Sequence, residues 1–217
     1  MDGPNDDGSY FRTFNEMLEF TYGDTPCKVF PHTCLPKKID AVIWDADDTL
    51  WDIKPIGLAS FCQPPYEKVG DDAVKCTVLM DVWRKKGKKQ GGLREVQVAR
   101  EQTVRLKSSV IETLDKLASM GIKCHVASNN EPGKVEGIIT ALGIRDKFDI
   151  IQSDFDSKPY LIDLLLKKTR DDPTHLLFID DERHNVSRVY FDLGITSLCM
   201  GVDIQAPAEV LDFIMEV

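Results

Sequence analysis

The chain has 217 residues, enough for one domain of ordinary size with a sizeable core. Its 27 basic and 36 acidic residues give a net charge of −9, which argues against general affinity for nucleic acid. No apolar run reaches the roughly 18 residues of a membrane span, and the opening Met1-Asp-Gly-Pro-Asn-Asp-Asp lacks the basic start and apolar core of a signal peptide, so a cytoplasmic protein without membrane partners is expected.

Residues 1–38 read as an extension. Its first eight residues are polar and rich in turn formers, then Tyr10, Phe11, Phe14, Met17 and Leu18 recur at helical spacing behind Ser9 as N-cap and up to Gly23. This amphipathic helix either packs on the domain or offers a homodimer contact. Three prolines between residues 24 and 38 make an extended connector. The six cysteines show no metal-type pairing and no need to staple a chain of this length, so reduced thiols are expected; Cys27, His32 and Cys34 lack a fourth metal ligand nearby.

The stretch from Ile39 to Leu50 organises the rest. An apolar, β-prone run breaks into acid at Asp45, Asp47 and Asp48, with Thr49 following. Clustered carboxylates at a strand end repel one another unless a cation or a shared proton neutralises them, and Mg²⁺ suits an all-oxygen site. A plain acidic turn is the bland alternative.

Residues 52–107 read as an irregular, cap-like insertion, with a hairpin as its most ordered form, a β-like run at Val74 to Val82, and a helix from Leu93 to Leu106. Between Arg84 and Lys107 nine basic residues face two glutamates. That run is either a solvated face or positive charge held over the site for an anionic substrate. Ser109 and Glu112 then have the spacing of a capping box for a helix that Gly121 stops.

From Ile122 the chain alternates regularly. A strand ends at Ser128-Asn129-Asn130, a helix closes at Gly143, and a short strand spans Phe148 to Gln152. Ser157 caps a helix with Lys158 in its first turn, against the helix dipole. A strand at His175 to Ile179 ends in Asp180-Asp181-Glu182, and a helix stops at Gly194. Ile195 to Met200 is one more strand, and a closing helix runs from Ala206. The alternation predicts an α/β fold, a doubly wound, Rossmann-like parallel sheet of about five strands flanked by helices over residues 39–217. In such a sheet Asp45, Asp47, Ser128, Lys158, Asp180 and Asp181 converge at the carboxyl ends of the strands. A carboxylate, a cation, a hydroxyl and a lysine together suit phosphoryl transfer. His125 and His175 fall in strands and read as structural, Trp44 reads as core, and His184 follows the last acidic motif closely enough to reach substrate.

Taken in order, D-A-D-D-T, the serine ending V-A-S, the lysine of D-S-K-P and F-I-D-D-E-R-H-N resemble the four motifs of the haloacid dehalogenase-like superfamily. Trp51 after the first motif, Gln63-Pro64-Pro65-Tyr66 and the D-D-E-R-H-N ending resemble its magnesium-dependent phosphatase family. The resemblance implies Asp45 as nucleophile, Asp47 as general acid and base, and Ser128, Asn129 and Lys158 around the phosphoryl group. It implies Mg²⁺ held by Asp45, the backbone carbonyl of Asp47 and Asp181, with Asp180 and Asn185 behind them. Asp180 in place of Asp181 is the alternative ligand. Asn129 departs from the basic residue that family members tend to carry after the serine, which bears on substrate choice. The expected activity is hydrolysis of phosphomonoesters on small molecules or exposed side chains. A phosphotransferase or mutase of the same fold, and a non-catalytic protein-binding module, are the alternatives.

Overall fold

The computed structural model describes residues 38–52, 61–85 and 93–216. The amphipathic helix expected behind Ser9, and Cys27, His32 and Cys34, lie outside these residues, so the homodimer expectation does too.

Five short strands make a parallel sheet: β1 (Ala41–Trp44), β6 (Lys123–Ser128), β7 (Ile150–Ser153), β8 (Leu176–Asp180) and β9 (Thr196–Cys199). Their spatial order is β7-β6-β1-β8-β9. β1 is central, paired in register through Trp44↔Val126 on one side and Trp44↔Ile179 on the other. The chain builds outward from β1 through β6 to β7, then returns to lay β8 and β9 on the other side. The strand order therefore reverses next to β1, where doubly wound sheets bind ligands.

Five helices cover the sheet: α1 (Val110–Ser119), α2 (Lys134–Leu142), α3 (Lys158–Thr169), α4 (Arg183–Leu193) and α5 (Glu209–Met215). Alternate residues of β1 face opposite layers, as strand geometry requires. Val42 and Trp44 join one apolar cluster with Leu114, Ile138 and Val210 from α1, α2 and α5. Ala41 and Ile43 join another with Leu161, Leu165 and Val189 from α3 and α4. Burial on both faces explains why β1 and β8 read as unbroken apolar runs. None of the described helices is long and apolar enough to cross a membrane.

The insertion is more regular than its sequence suggests. β2 (Trp51–Asp52), β3 (Phe61–Lys68), β4 (Ala73–Lys85) and β5 (Leu93–Leu106) form an antiparallel sheet in the order β2-β5-β4-β3. The helix expected over Leu93 to Leu106 is therefore corrected to a strand, paired with β4 along its whole length. Over its last six residues Gln102, Val104 and Leu106 are buried while Glu101, Thr103 and Arg105 are exposed. That two-residue period is a strand's, and burial against the domain decides it. The sheet shares the cluster of Trp44 and Ile138 through Val74, Val78 and Val104. Of the basic run, Arg105 pairs with Asp72 and Lys107 with Asp52.

The capping box at Ser109 does not form. Ser109 takes a left-handed backbone, φ 69°, and makes no side-chain cap bond; its hydroxyl donates to the Ser108 carbonyl instead. Gly143 and Gly194 close α2 and α4 in left-handed conformations, as expected of C-terminal glycines.

Candidate active site

Three adjacent strands deliver side chains to one place. Asp45 follows β1 directly, with its backbone N–H donating to the Ile179 carbonyl at 2.8 Å. Ser128 ends β6 and Asp180 ends β8. Ligand oxygens of Asp45, Asp180 and Asp181 lie within 4.8 Å of one another.

Lys158, the first residue of α3, is buried at their centre. Its ammonium donates to Asp45, to the Ala127 carbonyl at 2.8 Å, and stands 3.1 Å from the Asp180 carboxylate. These partners explain a lysine on the unfavourable end of a helix dipole: two carboxylates outweigh it. Burial opposes the Lys158 charge, but Asp45 and Asp180 more than offset it and hold the ammonium above its usual pKa. Burial pushes the Asp45 carboxyl up to about 7, against the pull of Lys158 and with Asp180 adding to the rise. Asp181 is pushed up to about 6, mainly by burial and then by Asp180.

The two neighbouring aspartates differ in their surroundings. Asp180 has no exposed surface and accepts from the Glu182 N–H at 2.8 Å and from Asn185 Nδ2 at 3.2 Å to each oxygen, besides facing Lys158. Asp181 is partly exposed, with the Thr49 hydroxyl 3.5 Å from its Oδ1. Asp180 is thus fully engaged by Lys158 and the loop, while Asp181 keeps part of its surface exposed.

Asp47 is held by donors from Trp51 and the β6 loop. Its Oδ1 accepts from Trp51 Nε1 at 2.7 Å and its Oδ2 from Asn130 Nδ2 at 2.9 Å. The turn that carries it needs a left-handed residue, supplied by Asp48 at φ 56°. Asn130 also donates to Ser128 Oγ at 3.0 Å and accepts from Lys134 Nζ at 2.9 Å. Lys134 is itself buried, 3.6 Å from Asp47 Oδ2. Ser153 pins this loop by donating toward the carbonyls of Asn130 and Glu131.

Asn130 and Lys134 have no counterpart in the sequence expectations. The signal available was a polar doublet at a strand end with a lysine four residues on, a pattern common on solvated helices. Asn129, the expected phosphate contact, is exposed, and its side chain donates to the Asp156 carbonyl, tying the β6 loop to the segment before α3. His125 is buried with Nε2 3.2 Å from Asp171, and His175 lies 3.0 Å from Asp40, so both are structural as expected. His184 is exposed, 3.5 Å from Glu182.

The fold and site together define an α/β protein with a lysine-bridged acidic centre at the switch point of a parallel sheet. The chain belongs to the haloacid dehalogenase-like hydrolases, whose sequence pattern matches residues 39–187. Among solved structures, a HAD-superfamily hydrolase from Ehrlichia chaffeensis is similar at 18% identity, over 83% of this chain and 98% of that one, with a TM-score of 0.54. The N-terminal part of the protein BF1531 from Bacteroides fragilis, containing a phosphatase domain and complexed with Mg, is similar at 17% identity, over 82% of this chain and 40% of that one, with a TM-score of 0.50. A predicted phosphoglycolate phosphatase from Haemophilus somnus matches at 21% identity over 51% of this chain and 57% of its own, with a TM-score of 0.46. No curated protein matches the sequence significantly. At these identities the Ehrlichia chaffeensis and Bacteroides fragilis structures establish a shared fold.

Proposed function

We propose that the protein is a Mg²⁺-dependent phosphatase that hydrolyses phosphomonoesters through an aspartyl phosphate on Asp45. The observation that carries this reading is the meeting of Asp45, Lys158, Asp180 and Asp181 at adjacent strand ends, with Asp47 and Ser128 on the loops beside them.

The donor set fits the metal. Three carboxylates cluster where a single lysine pairs with two of them, Asp45 and Asp180, and hard oxygen donors with excess negative charge suit Mg²⁺. Asp45, the backbone carbonyl of Asp47 and Asp181 would hold it, since Asp180 is already engaged by Lys158, Asn185 and the Glu182 N–H. When bound, the ion supplies Lewis-acid stabilisation of the phosphoryl charge and offsets repulsion between the carboxylates and the substrate. The similar Bacteroides fragilis phosphatase domain is complexed with Mg, which favours this cation over another divalent ion.

Asp45 is buried and directed by Lys158, so its carboxylate meets phosphorus in one orientation. Lys158 and the Ser128 hydroxyl hold phosphoryl oxygens; Ser128 accepts from Asn130 and so keeps its own proton to donate. Asp47, fixed by Trp51 and Asn130, protonates the leaving alcohol and then takes a proton from the water that opens the acyl phosphate. The motif likeness to the magnesium-dependent phosphatases favours hydrolysis over transfer to a second alcohol.

Hydrolysis of an aryl phosphate with and without Mg²⁺, by the native chain and by Asp45→Asn, tests the proposal. Turnover that needs Mg²⁺ and disappears in the variant is expected. A folded native protein without turnover under either condition counts against hydrolysis and favours a narrow phosphotransferase or a protein-binding role.

A further inference from the structure

Two thiols outside the catalytic cluster face each other. Cys62 on β3 and Cys76 on β4 are 1% and 3% exposed, and their sulfurs stand 2.7 Å apart, with Cys76 donating to Cys62. Both are free thiols. A buried cysteine by itself is an ordinary small apolar residue. A facing pair is a different object: a disulfide needs its sulfurs about 2.05 Å apart, a short movement from this arrangement.

Their position in the sheet gives such a bond something to do. β3 and β4 pair from Phe61 to Gln63 and again at Glu67, with a register shift between. Pro64 and Pro65 fill that gap and have no N–H to give the ladder. Cys62 sits at the last paired stretch before it. The next residue, Gln63, donates to Glu131 at 3.4 Å, in the loop that follows Ser128 and Asn130. A covalent tie between Cys62 and Cys76 would therefore replace missing backbone pairing and pin the segment of β3 that touches the catalytic loop.

We propose that Cys62 and Cys76 are a reversible redox pair, closed to a disulfide by a peroxide and reopened by a thiol reductant. The chemistry balances with one oxidant. The Cys62 thiolate attacks a peroxide oxygen, the O–O bond breaks, and Cys62 becomes a sulfenic acid as hydroxide leaves. The Cys76 sulfur then attacks the Cys62 sulfur, forming the S–S bond and expelling the oxygen as water. In sum two thiols and one peroxide give one disulfide and two waters, a two-electron oxidation. Cys62 suits the attacking role: the hydrogen bond from Cys76 outweighs burial and holds its pKa below that of a free thiol, while Cys76 is held above. The proposal stands on the geometry of the small sheet and is independent of the phosphatase reading.

The test uses the full chain, exposed to hydrogen peroxide, unfolded in the presence of an alkylating agent, digested and mapped by mass spectrometry. A Cys62–Cys76 cross-linked peptide pair, with two of the six thiols lost and both regained after dithiothreitol, is expected. The same treatment of urea-unfolded chain should scatter the cross-links among the cysteines. In Cys76→Ser the reaction should stop at a sulfenic acid on Cys62 that dimedone traps, while Cys124→Ser should leave the cross-link unchanged. Recovery of both Cys62 and Cys76 as alkylated thiols while other cysteines oxidise would overturn the proposal, as would cross-links from either to a different partner. The wild-type map decides the question even if Cys76→Ser fails to fold.

Discussion

The Lys158 ammonium stands 3.1 Å from the Asp180 carboxylate, and neither side chain has more than 2% of its surface exposed. Lys158 also donates to Asp45, so one cation spans a structural carboxylate and the proposed nucleophile. Lys158→Met should lower turnover by about 10²–10³-fold, the loss typical of a donor aimed at developing charge. It should also destabilise the metal-free fold by roughly 3–5 kcal/mol, because two buried carboxylates lose their counter-charge. Lys158→Arg should restore stability better than activity, since a planar guanidinium cannot occupy the same point between two carboxylates and a carbonyl. Steady-state kinetics beside urea unfolding separates the two effects.

Asn130 is predicted to act through Asp47. It donates to Asp47 and Ser128 and accepts from Lys134, so its removal frees the carboxyl proposed to protonate the leaving group. Asn130→Ala should lower kcat by about 10–10²-fold, the range expected for a misplaced catalytic group, with KM little changed. A change confined to KM would instead make Asn130 a substrate-binding residue.

Gly137 of α2 tests how the small sheet seats on the domain. A Cβ at this position would lie 2.5 Å from the Tyr66 ring on β3. Alanine in a helix interior gains about 1 kcal/mol over glycine, but forcing a methyl against a packed ring costs about 1–3 kcal/mol. Gly137→Ala should therefore be neutral to destabilising in the native background and stabilising in Tyr66→Ala. A double-mutant cycle measured by urea unfolding reads the coupling directly.

The two parts of the molecule were not equally legible in sequence. The parallel sheet could be read because buried strands such as Leu176–Asp180 are apolar throughout and end abruptly in acid. The same break marks Asp45, Asp180 and Asp181 in the sequence itself. β5 misled because Gln102 occupies an inward position, spoiling the alternation with Val104 and Leu106, and because its pairing with β4 is set by tertiary contact. Ser109 misled for a local reason: a capping box is a spacing, and a left-handed backbone at the serine removes it. Asn130 and Lys134 acquire meaning only when the β6 loop folds against the turn carrying Asp47. No spacing within either segment announces a contact between residues 83 positions apart.

His125 should make the fold sensitive to mild acid. It has no exposed surface, and burial holds its pKa below the ordinary histidine range despite Asp171 beside it. The unfolded chain then binds this proton more readily than the folded one, so stability is full above about pH 6.5 and falls as pH drops through the folded pKa. Melting temperature followed as pH is lowered from about 7.5 should decline once pH falls below about 6.5, the ordinary histidine value. His125→Gln should flatten that slope, whatever its effect at neutral pH.

The most direct test of the account is to find the phosphoryl group on the protein. Rapid acid quench during turnover of an aryl phosphate, followed by borohydride reduction and peptide mapping, should mark a single aspartate, Asp45, and the mark should be absent in Asp45→Asn. Turnover with no labelled carboxylate, or a label on Asp47, Asp180 or Asp181, would contradict the assignment of Asp45 as the nucleophile.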